Sequence, residues 1–179
     1  MSWKRLESRT IFENPWMAVR EDRVINPGGG ENLYGHVHFK NRAVAIVPID
    51  EADHTWLVGQ DRYTLDAYSW ELPMGGAPLD EEPLDAAKRE LREETGLSAD
   101  DWTEILNLHP SNSITDEFGI VYVARGLTEG ETDFEEAEDL AIRRLPLDEA
   151  IAMCLDGRIT DAISVAALLS IAVKRASSP

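Results

Sequence analysis

The chain has 179 residues, 43% hydrophobic and 28% charged, which suits one globular domain with a real core and the composition of a soluble enzyme. A formal net charge of −17 excludes a nucleic-acid backbone as partner, because phosphates would be repelled, yet it permits a small phosphate ligand wherever a divalent cation inverts the local sign. Cys154 is the single cysteine, which excludes an internal disulfide framework and fits a reducing compartment.

The opening MSWKRLESRT has no apolar run, so no signal peptide is expected, and the most apolar stretch, Val165 to Val173, is too short to span a bilayer. A cytoplasmic protein without membrane contact is the expectation. Residues 10–25 and 33–40 read as short strands around a turn at Asn26-Pro27-Gly28-Gly29-Gly30. Ala43 to Ile49 and Thr55 to Gln60 follow as a hairpin about the polar turn Asp50 to His54, and Ser69 to Pro73 is a further extended piece. A helix is predicted from Glu82-Pro83, with proline in its first turn, to a stop at Gly96. Its apolar side is Leu84, Ala87 and Leu91. Strands return at Thr103 to His109, Gly119 to Gly126 and Leu140 to Leu145. Two helices close the chain, Asp148 to Leu155 and Asp161 to Arg175, the second with Thr160 as N-cap. Strands on both sides of one acidic helix predict a layered α+β domain.

Within the first helix Glu90, Glu93 and Glu94 stand at i, i+3 and i+4, which places three carboxylates on one face. Such a face repels itself unless a cation is near, and oxygen-only ligands favour Mg²⁺ or Mn²⁺. Gly75 and Gly76, ahead of the helix, let the backbone turn closely beneath the acidic face.

Gly75, Glu81, Arg89-Glu90-Leu91, Glu93-Glu94, Gly96 and Leu97 fill every fixed position of the pattern G-x5-E-x7-R-E-U-x-E-E-x-G-U, with U aliphatic. Through it the chain resembles the Nudix hydrolases. The resemblance implies an α/β/α sandwich with a mixed sheet (residues 41–179), preceded by an N-terminal β extension (residues 1–40) for substrate and dimer contacts. It also implies metal-dependent cleavage of a nucleoside diphosphate linked to a second group, with Glu90, Glu93 and Glu94 as ligands. Arg89 and Glu81 would be structural partners of the loop and helix, and Glu94 and Arg89 would belong to the catalytic centre.

Gln60-Asp61-Arg62-Tyr63, Trp70-Glu71-Leu72-Pro73 and the run Gly157 to Ala162 resemble the ADP-ribose and nucleotide-sugar pyrophosphatase branch. By position in that branch Glu136 is the general base and Glu138 an accessory metal ligand, with the register within Glu135 to Glu138 left open. Arg62 reads either as a phosphate clamp or as a surface ion-pair residue. Trp16 and Tyr34 read as platforms for the base or as core packing, and His36 and His38 as structural. The substrate would be a small nucleoside diphosphate sugar and the assembly a homodimer. Where ADP-ribose enzymes commonly carry Pro-Gly, this chain has Asn112-Ser113, which leaves room for other nucleotide sugars. NADH, dinucleoside polyphosphates and a non-catalytic nucleotide sensor are the competing readings.

Overall fold

Ala43 to Pro48 is apolar at every position, and the strand containing it, β4 (Asn41–Pro48), is buried on both faces, as a central strand covered from two sides must be. In the computed structural model, which describes residues 2–132 and 140–177, β4 is the hinge of the architecture. It pairs antiparallel with β7 (Met74–Pro78) and parallel with β9 (Gly119–Glu129), and β8 (Leu97–Leu108) closes the four-stranded sheet β7-β4-β9-β8. Side chains alternate along β4 with period two. Val44 and Ile46 join Ile120, Tyr122 and the helix α1 (Pro83–Thr95) in one apolar layer. Ala45 and Val47 join Val121 and the helices α2 (Leu147–Leu155) and α3 (Ala162–Ala176) in the other. The expected helix–sheet–helix sandwich is thus present.

A second sheet has the order β10-β5-β6, from β5 (His54–Arg62), β6 (Ala67–Glu71) and β10 (Ala141–Pro146). The N-terminal residues form a third, the meander β1 (Lys4–Glu13), β2 (Met17–Ile25) and β3 (Glu31–Phe39). Among the described residues no helix is long and apolar enough to cross a membrane.

Four expectations need correction. The stretch 10–25 is not one strand: Asn14 Oδ1 accepts from the backbone of Trp16 and Met17 and so turns the chain between β1 and β2. β4 and β5 do not pair as a hairpin. The turn closes as expected, with Asp50 Oδ1 accepting from Ala52 and His54 N–H, but both edges of β4 are taken by β7 and β9, so β5 enters the second sheet. Gly75 and Gly76 do not turn the chain; they lie in β7, opposite Val44 and Ala43. Finally, the N-cap of α3 is Asp161, whose carboxylate accepts from Ser164 N at 2.7 Å, and not Thr160.

The first helix ends where expected. Gly96 sits at φ 72°, in the left-handed region, and its N–H bonds to Arg92 O at 2.8 Å. Asp161→Ala should lower stability by about 1 kcal/mol in urea denaturation, as loss of a cap does, whereas Thr160→Ala should leave the midpoint unchanged.

Candidate active site

β7 and α1 meet with glycine facing carboxylate. A Cβ built on Gly75 would stand 2.1–2.3 Å from the carboxylate atoms of Glu90 and would push them aside, so glycine is what lets that carboxylate sit where it does. On Gly76 a Cβ would meet Asn41 Nδ2 at 2.5 Å, the far end of a side chain that can swing away. The two glycines therefore differ: the first clears the acidic site, the second only accommodates an amide.

Arg89 knots this junction. Its Nη1 donates to Glu90 Oε1 at 2.7 Å and to Glu93 Oε2 at 3.0 Å, and its Nη2 to Gly76 O at 3.0 Å and Glu81 Oε2 at 3.2 Å. Burial opposes the guanidinium's charge, yet the hydrogen bonds to Glu81 and Glu90 outweigh it and push its pKa up. Two of the three helix carboxylates thus share one nitrogen. The third, Glu94, is 3% exposed and points inward, with Oε2 accepting from Met74 N at 2.8 Å.

Among the described residues no three acidic, histidine or cysteine side chains converge as a metal-binding cluster. The donor set nevertheless fits a hard divalent cation: oxygen atoms only, on a helix face, with Glu90 seated against Gly75.

Two cavities flank β7. One, of about 900 Å³, is lined by Arg62, Glu71, Glu117 and Asp161; the other, of about 460 Å³, by Lys40, Arg89 and Glu90. Trp16, Asn41, Met74, Gly75 and Gly76 line both, so they are two lobes of one groove. Trp16, 66% exposed, stands over it as an open aromatic face and is not core packing. Arg62 lies in the larger lobe and pairs with Glu71, its Nε donating to Oε1 at 3.0 Å and its Nη2 to Oε2. Across that lobe, burial pushes the Glu117 carboxyl up, and Asp161 adds to the shift.

Tyr34 is not in this groove. Its hydroxyl donates to Ser113 O at 2.5 Å and its ring lies 5.4 Å from that of Trp3, beside a separate cavity of about 430 Å³. His36 and His38 pair with Asp22 and Asp116, a structural use. Glu136 and Glu138 lie outside the described residues. Sequence reasoning assigned no role to Glu71, Asn41, Glu117 or Asp161. For Glu71 a signal existed, an acid set between Trp70 and Leu72, at the end of β6 where the chain enters the core.

Mn²⁺ affinity measured by calorimetry should fall about 10–100-fold in Gly75→Ala, the range seen when a ligand loses its orientation, and stay near wild type in Gly76→Ala.

A Nudix domain model matches residues 39–168, and a nucleoside diphosphate sugar hydrolase N-terminal domain model matches residues 3–37. The chain is 37% identical to an ADP-ribose pyrophosphatase of Mycobacterium tuberculosis over 94% of its own length and 83% of the relative's. To the CMP-5'-(N-acetyl-N-hydroxy-3-aminopropyl)phosphonate hydrolase of Streptomyces rubellomurinus it is 30% identical, over 96% and 82%. A crystal structure of an ADP compounds hydrolase superposes with a TM-score of 0.85 at 26% identity, covering 96% of this chain and 92% of that one. Complete box, sandwich fold and family match agree, and the chain belongs to the Nudix hydrolase family.

Proposed function

We propose that this protein hydrolyses the diphosphate bond of ADP-ribose or a related nucleoside diphosphate sugar, giving a nucleoside monophosphate and a sugar phosphate, with Mg²⁺ or Mn²⁺ bound at the helix carboxylates. The observation that carries the reading is the Gly75–Glu90 junction set at the meeting of two lobes, which gives a diphosphate an acidic centre and gives its two substituents separate spaces. The ADP-ribose and ADP-compound relatives support the substrate class.

Glu90, Glu93 and Glu94 would hold the cation, with Glu138 as an accessory ligand. Bound there, a divalent ion supplies charge neutralisation for the phosphates and a more acidic water. Arg89 keeps Glu90 and Glu93 in register and links them to the backbone of Gly76, so the ligands need little rearrangement. Glu94 fixes Met74 N and with it the floor of the groove. Trp16 offers its exposed face to the base, where stacking contributes about 1–3 kcal/mol. Glu136 is the proposed base on positional grounds alone.

Residues 1–40 are proposed as the substrate and dimer extension, with 41–179 as the catalytic domain. Phe12 and Leu33, both more than half exposed, share one face of the N-terminal sheet, an apolar surface suited to a second copy of the chain. In such a dimer Tyr34 would serve the partner's groove. A cytoplasmic location remains the expectation from composition.

A panel of ADP-ribose, ADP-glucose, GDP-mannose, UDP-glucose and NADH, assayed with Mg²⁺ and with EDTA, tests the reading. ADP-ribose or another sugar on the panel should be cleaved with Mg²⁺ and untouched in EDTA. Inertness to all five with nucleotide binding retained would establish a sensor instead. Glu94→Gln keeps an acceptor for Met74 N, so it should fold normally while kcat falls about 10³-fold, as loss of several kcal/mol of charge stabilisation implies. Glu136→Gln should slow turnover more than Glu135→Gln; the reverse order would relocate the base.

A further inference from the structure

Arg62 and Glu71 stand on adjacent strands and both line the larger lobe. Glu71 is 4% exposed, an acid almost wholly out of water, and Arg62 is its paired cation. The pairing is edge-on: Nε and Nη2 of the guanidinium engage the two carboxylate oxygens. Nη1 is not used, and among the described residues it has no hydrogen-bond partner. The rest of the segment is equally fixed. Leu72 N donates to Ser164 Oγ and Met74 N to Glu94 Oε2, so residues 71–74 are tied to α3, to α1 and to Arg62 at once. The hydrogen bond to Glu71 raises the Arg62 pKa, with Glu94 and Asp161 contributing through space, so the charge is secure at any working pH.

A flexible arginine loses much rotamer freedom when it closes on a ligand. Here the two hydrogen bonds to Glu71 already restrict that freedom in the free protein. We propose that Glu71 is a positioning residue: it holds the Arg62 fork by one edge so that Nη1 is presented to a phosphate oxygen of the diphosphate in the larger lobe. This rests on the hydrolase reading above and deepens it, since it makes the clamp preformed and assigns its orientation to a residue that need not touch the substrate.

A double-mutant cycle tests the assignment, using wild type, Arg62→Lys, Glu71→Gln and the double variant. Lysine keeps a positive charge opposite Glu71 but not the fork, and glutamine keeps the volume of Glu71, so all four should fold; thermal midpoints check this. ADP-ribose binding by calorimetry in EDTA and KM with kcat in Mg²⁺ are the readouts. Each single variant should weaken binding and raise KM about tenfold, the size of one charge-assisted hydrogen bond, with kcat changed far less. The double variant should be no worse than Arg62→Lys alone, because Glu71 acts only through the guanidinium. Wild-type affinity in either single variant would overturn the proposal, as would independent effects that multiply to about 100-fold. If wild type cleaves another nucleotide sugar of the panel and not ADP-ribose, that sugar is the probe for the cycle; a wild-type protein that neither binds nor cleaves any of them would sink the underlying hydrolase reading as well.

Discussion

One guanidinium holds the candidate catalytic region together. Arg89 is bonded to the carbonyl of Gly76 on β7, to Glu81 ahead of the helix, and to Glu90 and Glu93 on the helix itself. Two acids one helical turn apart repel each other, and the donor between them turns that repulsion into attraction. The same side chain fixes the glycine strand at the distance that leaves room for the Glu90 carboxylate. A lysine could supply the charge but not the planar set of donors, so the geometry depends on arginine specifically.

The acidic helix was the most legible part of the molecule. Pro83 and Gly96 mark its ends by fixed backbone preferences that tertiary packing rarely overrides, and the structure starts and stops the helix there. The central strand was legible as a strand because apolar residues at every position demand burial on both faces. Its partners were not. Whether Thr55 to Gln60 pairs with the preceding strand depends on which edges are already occupied, and the occupants come from residues 74–78 and 119–129. Local propensity carries no such information.

Within the candidate site, Glu90, Glu93 and Glu94 could be placed on one helix from spacing alone, whereas Gly75, expected in a turn, lies in β7, where the packing of the strand against Glu90 decides its use. For Glu71 the flanking apolar residues signalled an acid out of place, but not its partner, which lies nine residues away across a strand pair. Tyr34 is a different case: family likeness offered it as a stacking platform, and its hydroxyl is held by the Ser113 carbonyl, away from the groove of its own chain, a long-range contact that sequence spacing does not carry. Asn14 ended a strand through its side-chain oxygen, a local signal that the surrounding β-rich composition obscured.

The twofold burial of β4 also dictates how this chain must come together. Its neighbours β7 and β9 lie about 30 and 75 residues downstream in the chain, so neither edge can be satisfied by a local closure. Until β9 emerges and docks, the sticky stretch Ala43 to Pro48 has an unpaired margin, the feature that recruits other chains during slow assembly. Once docked, the strand belongs to both apolar layers at the same time, and neither layer can melt without exposing the other.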